Sequence, residues 1–441
     1  MSILYEKIYW PVFEFIKRRQ TVKLYKKSLS TQWNDVLSNN QLQMEEFIKL
    51  RNYINRYVPF YVDLANSLLP KDASLTDYPV MCKKIIKNEF FRLVTQGKNA
   101  GLWMKSTGGS TGVPLHFGYT KESYEWRVAM SKRGYLWARA EPGSRQAYIW
   151  GTQLGEVSKL RKFKEDLHHF IDRQLYFNCF DFGPNEMSRC LYRLNRWKPE
   201  ILVGYTNPLY EFALFVDQRG GPGFKPRSII CAAEKVHDFQ REVLEKVFGC
   251  PVFNTYGSRE FMLIAAECEK HEGLHVSMEN LIVEVVDDEG NPVKPGEVGR
   301  VLVTDLHNYG MPFIRYEIGD LARLSDRQCS CGRGLMMLDD VIGRQLDVIR
   351  RPDGKIVPGE FFPHMMKDFK EVEKFQVVQR ELNSLEIKLK LSEEIESDGL
   401  VLMERLTRDV VGPDMRLNFM PVDDIPLTPT GKHRVTVSEL R

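Results

Sequence analysis

From about residue 100 to residue 265 the chain repeats one pattern: a short apolar run, a closing Gly, Pro or Asn, then a helix-like stretch. "PEILVGYTNPLYEFALFV", "RSIICAAEKVHDFQREVLEKVFG" and "CPVFNTYGSREFMLIAAE" each read as strand, turn, helix. Strands that alternate with helices stack as an α/β sheet, so this stretch restricts the fold more than any other feature. The first hundred residues read as mainly helical, with 1–70 a helical lead-in. "QWNDVLSNNQLQMEEFIKLRNYINRYVPFY" places apolar residues at three- and four-residue spacing, one stripe on a helix. After the α/β stretch, "LIVEVVDDEGNPVKPGEVGRVLVTDL" alternates on both sides of a hairpin signal at Asp288 to Asn291.

Past "VIGRQLDVIRRPDGKIVPGEFF" a new unit begins, with helix-like "PHMMKDFKEVEKF", the strands "QVVQREL" and "LEIKLKL", and a final helix and strand. About a hundred residues suffice for a small α+β domain. The boundary falls near Gly343, giving a large domain over 1–342 and a small one over 343–441. At 441 residues there is chain enough for a large core and more than one domain. A net charge of +3, from 62 basic and 59 acidic residues, implies no polyelectrolyte partner, and no nucleic acid is expected. No apolar run approaches the ~20 residues of a membrane span. Glu6 and Lys7 stand where a secretory signal is uncharged, and eight scattered cysteines fit a reducing compartment, so a cytoplasmic location is expected.

"STGGSTGVPL", Ser106 to Leu115, places three glycines and four hydroxyl residues in ten positions. Glycines let backbone N–H groups approach an anion, and hydroxyls add donors, so the stretch suits phosphate oxygens; a flexible surface loop is the plainer reading. It is not a Walker A loop, because Val113 and Pro114 stand where Lys and Ser or Thr are required. Further motifs follow in order: "NTYGSRE" (Asn254 to Glu260), "MPFIRYEIGDLARL" with Asp320, "VIGRQLDVI" with Arg344 and Asp347, and "PLTPTGKHRV" with Lys432. Singly each has an ordinary reading: Tyr256 as a core aromatic, Glu260 as an early-helix acid, Asp320 as a turn former, Arg344 as an ion-pair residue, Lys432 as a solvated charge. Together and in this order they resemble the adenylate-forming superfamily, in its phenylacetate-CoA ligase-like branch, which includes proteins of capsular polysaccharide biosynthesis. The resemblance runs from about residue 70 to the C-terminus.

The resemblance implies a large adenylate-forming domain of mixed β-sheets and flanking helices, and a small mobile α+β domain carrying a catalytic lysine. The loop of Ser106, Thr107, Gly108, Gly109, Ser110, Thr111 and Gly112 would hold the β- and γ-phosphates of ATP. Tyr256, with Gly257 and Ser258 beside it, would lie against adenine, and Glu260 would help bind Mg²⁺. Asp320 would accept from the ribose hydroxyls, Arg344 would touch ribose or phosphates, and Asp347 would be the hinge. Glu234, in "AAEK", would border the adenine and acyl pockets, and the acyl pocket would be lined around Trp150, Tyr205 and Asn254 to Ser258. Lys432 would bridge the substrate carboxylate and the phosphate.

The implied chemistry is activation of a small carboxylic acid as acyl-AMP with loss of pyrophosphate, which needs positioning and electrostatic stabilisation. The favoured acceptor is coenzyme A, with Lys374, Arg380, Lys388 and Lys390 as candidate basic groups near a thiol tunnel, although such charges also make an ordinary solvated face. An amine or hydroxyl of a sugar is the alternative acceptor. A non-catalytic, nucleotide-responsive scaffold of a polysaccharide system is a third reading. Two positions depart from the superfamily pattern. Leu115 follows Pro114 where a lysine is frequent, and Arg259 stands where a hydroxyl residue is usual.

Two further features stand apart. Cys268 and His271 in "CEKH", with Cys329 and Cys331 in "CSCG", supply four N/S donors in two close pairs, the set of a structural Zn²⁺ site. His275 in "GLHV" competes as fourth ligand, and buried free thiols are the alternative. Between Met1 and Ser30, seven Lys or Arg residues face only Glu6 and Glu14, in a stretch rich in aromatic and aliphatic residues. That composition suits weak peripheral contact with an anionic membrane. The preferred reading is a helix packed on its own domain, with Pro11 bending its start.

Overall fold

The computed structural model describes residues 5–96, 101–107, 115–151, 166–233, 236–342, 349–353, 355–357, 359, 361–366, 368–426 and 435–440. The lead-in folds as helices Trp10–Ile16, Thr21–Thr31, Val36–Tyr57 and Pro59–Ser67. The expected continuous helix after Gln32 is two helices. Asp35 starts the first by accepting from Ser38 N at 2.9 Å, and it stops at Val58 because the residue before a proline is pushed out of the helical region. Its buried stripe runs Asn39, Gln43, Phe47, Leu50, Ile54, the spacing of one helix face.

The α/β stretch begins with a hairpin of β1 (Trp103–Ser106) and β2 (His116–Tyr119). It continues with the parallel strands β3 (Gln146–Trp150), β4 (Gln174–Asn178), β5 (Ile201–Tyr205), β6 (Ser228–Ala232) and β7 (Val252–Ser258), in spatial order β4-β3-β5-β6-β7. Helices Thr206–Asp217 and Asp238–Phe248 follow β5 and β6 as the repeat predicts, and Phe212 and Phe248 pack them together with ring centroids 6.3 Å apart.

The third repeat differs from its expectation. "MLIAAE" is not a helix but β8 (Met262–Glu267), which turns back antiparallel on β7, pairing Tyr256 with Ala265. Its apolar run is buried from Leu263 to Ala266, and its backbone groups find partners on β7 and on β9 (Leu274–Val276). A short buried apolar run carries no period that separates strand from helix, so tertiary pairing decides. Glu260 therefore sits in a hairpin turn, not in the first turn of a helix.

Beyond β9 come β10 (Leu281–Val286), β11 (Val298–Asp305), β12 (Tyr316–Leu324) and β13 (Met337–Ile342), with the hairpin at 288–291 as expected. The whole sheet, among the described residues, has eleven strands in the order β10-β11-β12-β13-β9-β8-β7-β6-β5-β3-β4. It is a parallel half joined to an antiparallel half at β7 and β8.

The C-terminal part has the pair β14 (Ile349–Arg350) and β15 (Ile356–Val357). A sheet β18-β17-β16-β19 follows, built from β16 (Val372–Glu381), β17 (Ser384–Leu391), β18 (Arg416–Pro421) and β19 (Thr436–Ser438). The helix-like "PHMMKDFKEVEKF" contributes to a helix only over Phe361–Met366, and β16 takes its second half. Helix Ser397–Val411 presents Met403, Thr407, Val410 and Val411 inward. An apolar core runs from the parallel strands into this part, with Phe180 and Phe361 edge to face at 5.7 Å. Lys355 reaches back to Glu186 at 3.2 Å. The architecture is mixed α/β with a small α+β sheet unit.

Candidate active site

Ligands of open α/β sheets bind beyond the carboxyl ends of the parallel strands. At that edge β7 ends in Tyr256, Gly257 and Ser258, and the turn to β8 holds Arg259 and Glu260. The ladder is irregular here, and Met262 has a positive φ of 60°. A Cβ on Gly257 would lie 2.1 Å from the Met262 carbonyl oxygen, so the turn closes only around a glycine. Ser258 Oγ accepts from Phe261 N at 3.2 Å and holds the turn.

β12 lies four places from β7 in the sheet, yet the sheet curls enough to bring them together. Tyr256 OH donates to Asp320 Oδ2 at 2.9 Å, and Tyr316 OH donates to Glu260 Oε1 at 3.0 Å. Asp320 follows Gly319, whose φ of 91° bulges β12 against β11. Tyr316 is fully buried, in ring contact with Phe261 and Phe313, and Glu260 is 5 % exposed. Sequence reasoning passed over Tyr316, although it stands in the same quoted motif four residues before Asp320.

Ser106 pairs with His116, so the glycine-rich stretch connects β1 to β2. Its neck is closed by Thr107 N donating to Leu115 O at 2.9 Å and Leu115 N donating to Thr107 Oγ1 at 3.0 Å. Gly108, Gly109, Ser110, Thr111, Gly112, Glu234, Arg344, Asp347 and Lys432 lie outside the described residues. Arg259 is exposed; burial raises the phenol of Tyr119 on β2, against the opposing charges of Arg127 and, more weakly, Arg259. At the ends of β3 and β5, Trp150 and Tyr205 meet edge to face at 4.8 Å.

On the small unit, Lys374 pairs with Asp424, Lys390 with Glu373, and Arg380 with Glu386 and Glu439. These three carry surface ion pairs, as a solvated face does.

The cysteine set changes one member. Cys268, Cys329, Cys331 and His275 bring one donor atom each within 4.8 Å of one another. Cys268 Sγ lies 3.6 Å from Cys329 Sγ, and His275 Nε2 lies 3.4 Å from Cys331 Sγ. His271, the expected fourth donor, points elsewhere. Its backbone has φ 54°, its ring lies 4.6 Å from Phe253, and its Nδ1 is 3.2 Å from Glu267 and 3.3 Å from Arg241. His275 sits on β9, where pairing with Met337 of β13 fixes it beside the cysteine turn. Burial, then the charges of Arg333 and Arg133, lowers His275 to about 4, so its ring is neutral at neutral pH. Burial raises Cys268; at Cys331 burial is outweighed by the amide and side chain of Arg333 and the Cys329 thiol, and the net shift is downward. Three thiols and a neutral imidazole at this spacing fit a tetrahedral Zn²⁺.

Arg333, two residues on, stacks between Trp33 at 4.9 Å and Trp137 at 5.1 Å and bonds both oxygens of Glu269 at 3.0 Å. Gly334 donates to Gln32 O and accepts from Asn39 Nδ2 at 2.6 Å. The cysteine turn therefore anchors the helical lead-in to the sheet.

Comparison with known proteins agrees with this architecture. Residues 349–439 match the CapK C-terminal domain family. The chain is 24% identical to protein CapK of Staphylococcus aureus, over 97% of this chain and 95% of that protein. It is 26% identical to phenylacetate-coenzyme A ligase of Thermus thermophilus, over 89% of this chain and 95% of that one. In fold it is similar to 2-hydroxyisobutyryl-CoA ligase in complex with 2-HIB-AMP and CoA in the thioesterification state, with TM-score 0.62, 18% identity and 93% and 92% of the two chains covered. Taken with the ordered motifs, these similarities show that the chain belongs to the adenylate-forming ligase superfamily, in the branch of phenylacetate-CoA ligases and CapK, and is a ligase of that type.

Proposed function

We propose that the protein activates a small carboxylic acid with ATP and passes the acyl group to coenzyme A. The substrate carboxylate oxygen attacks the α-phosphorus, the bond to the pyrophosphate oxygen breaks, and the second step exchanges AMP for a thiol on the acyl carbon. The observation that carries this reading is the meeting of Tyr256 with Asp320, 64 residues apart, beside the buried Glu260. An aromatic ring suited to a base, a carboxylate suited to ribose hydroxyls and a carboxylate suited to a cation come together where the end of β7 meets β12.

In this reading Asp320 orients the ribose by accepting its hydroxyls. Tyr256 offers its ring to adenine, and Tyr316 fixes the Glu260 carboxylate. Glu260 would hold Mg²⁺, a hard cation suited to carboxylate oxygens, which when bound would neutralise charge on the phosphates. The backbone of the glycine-rich stretch and Lys432 would meet the remaining phosphate charge, Arg344 would touch ribose or phosphates, and Asp347 would be the hinge of the small domain, divided from the large one near Gly343. Trp150 and Tyr205 would line the acyl pocket, an apolar wall that keeps water from the mixed anhydride. The three thiols and His275 would hold a structural Zn²⁺ that ties the lead-in to the sheet, away from the nucleotide. Phenylacetate-CoA ligase of Thermus thermophilus and the CoA complex of the structural relative support the thiol acceptor.

A second reading is favoured by the match of residues 349–439 to the CapK C-terminal domain: acyl transfer to an amine or hydroxyl of a sugar in envelope polysaccharide assembly. Carboxylate-dependent ATP–pyrophosphate exchange across a panel of acids tests the first step, and Lys432→Ala should lower it at least about a hundredfold. No exchange with any acid, despite MgATP binding, overturns the ligase reading in favour of a nucleotide-responsive scaffold. Release of AMP from preformed acyl-AMP by an amino sugar but not by coenzyme A selects the second reading.

A further inference from the structure

The lead-in buries one face and leaves the other uncovered. On helix Trp10–Ile16, Trp10 and Glu14 point inward, Trp10 lying 5.3 Å from Tyr25 and Glu14 accepting from Thr21 N at 2.7 Å. The opposite face carries Val12, Phe15 and Ile16, next to exposed Tyr9 at the helix start, with Phe15 84% and Ile16 68% exposed. The short helix 166–171 lies alongside, joined through Phe13 and His168 at 6.1 Å and through Tyr5 OH donating to Asp172 Oδ1. It adds exposed Leu167 and Phe170, the latter 80% exposed.

The C-terminal end of this helix is tied to the domain. Arg18 takes a left-handed backbone at φ 51° and ends the helix. Lys121 Nζ donates to the Lys17 and Arg18 carbonyls and fastens that end to helix Lys121–Trp137. Lys7, Lys17 and Arg18 of the same segment are exposed, and the next helix, Thr21–Thr31, which packs on it through Tyr25, carries exposed Lys23, Lys26 and Lys27. Of the nearby acids Glu14 is buried and Asp172 takes the Tyr5 hydroxyl, while Glu6 is half-buried and Glu122 and Asp166 are exposed, so the exposed basic groups outnumber the open carboxylates.

We infer that this face docks on an anionic lipid bilayer, with Phe15, Ile16 and Phe170 at the acyl boundary and the lysines among the headgroups. Charge decides the occupant. A second copy meeting this face about a twofold axis would bring the basic groups against each other, whereas an anionic surface neutralises them and receives the aromatic and aliphatic tips. The inference is independent of the reaction the enzyme performs.

The test is co-sedimentation of the full chain with vesicles of phosphatidylcholine containing about one-third phosphatidylglycerol, against pure phosphatidylcholine vesicles, at low and high salt. Binding should require phosphatidylglycerol and weaken with salt. The double variant Phe15→Glu, Ile16→Glu should lose at least about tenfold in apparent affinity. Phe170→Glu and the pair Lys17→Glu, Lys23→Glu should each weaken binding as well. Val401→Glu, which changes an apolar residue 66% exposed on the small unit, should leave binding unaltered. Because the substituted side chains are solvent-facing, unchanged melting curves will show the variants folded. Absence of phosphatidylglycerol-dependent binding by the natural chain overturns the inference, as does binding that survives the double variant. Concentration-dependent dimerisation abolished by the double variant, without vesicle binding, would assign the face to a second copy.

Discussion

Replacing Tyr316 by Phe removes a single oxygen from the interior and asks what it does for Glu260. The residue is fully buried, its hydroxyl lies 3.0 Å from Glu260 Oε1, and the carboxylate is itself 5 % exposed. A hydrogen bond to a charged group contributes about 1.5–3 kcal/mol. The phenylalanine ring keeps its contacts with Phe261 and Phe313, so little packing is lost. For a chain of 441 residues that energy corresponds to a melting point lower by about 2–3 °C. If Glu260 holds the cation, loosening it should also raise the Mg²⁺ needed for nucleotide binding at least about tenfold, the usual effect of removing a group that orients a metal ligand. Thermal melting at fixed ATP over a series of Mg²⁺ concentrations reads both quantities on one sample. A lower melting point with an unshifted Mg²⁺ dependence would refute the link between Tyr316 and the cation. No change in either would refute the hydrogen bond.

Gly257→Ala should destabilise the turn by about 1–3 kcal/mol and abolish nucleotide binding, because the added methyl meets the Met262 carbonyl at 2.1 Å; binding by fluorescence titration with an ATP analogue checks it. Tyr256→Phe keeps the ring and removes one donor to Asp320, so ATP affinity should fall only a few-fold, while Asp320→Asn should cost at least about tenfold; equal losses in the same titration would contradict the division of roles. The purified protein should carry about one zinc per chain, and Cys329→Ser or a strong chelator should remove it and lower the melting point. Elemental analysis alongside calorimetry decides this, and metal-free protein of unchanged stability would refute it.

The parallel strands were legible because each is closed by turn residues and followed by a helical period, so local signals agreed with the fold. Where they disagreed, pairing won. "MLIAAE" has residues a helix accepts, but β7 and β9 flank it and claim its backbone. Pro59 marked the break after Val58 by its chemistry, yet the apolar spacing ran across it and concealed the helix end. Tyr256, Glu260 and Asp320 were legible as members of ordered motifs, whereas Tyr316 was not, because a buried tyrosine in a strand looks like any core aromatic. The exchange of His271 for His275 shows the limit of spacing. Two intervening residues make a plausible chelate on paper, but a left-handed turn aims His271 at Glu267, and only the β9–β13 pairing reveals that His275 faces the thiols.

The placement of β9 between β8 and β13 has a consequence for how the chain folds. β9 is three residues long, and β13, its neighbour, arrives only after β10, β11 and β12 have been laid down. The cysteine pair on either side of that excursion is separated by 61 residues and the Tyr256–Asp320 contact by 64. Contacts this distant in sequence form late, because loop closure must precede any reward. The parallel half can pair as it emerges, but its carboxyl edge acquires Asp320, and the turn that holds Glu260 acquires Tyr316, only when β12 curls back. The meeting of Tyr256 with Asp320 is thus among the last contacts the folding chain gains, and a chain stalled before Met337 would lack β13 and leave β10, β11 and β12 unjoined to the strands that carry Tyr256.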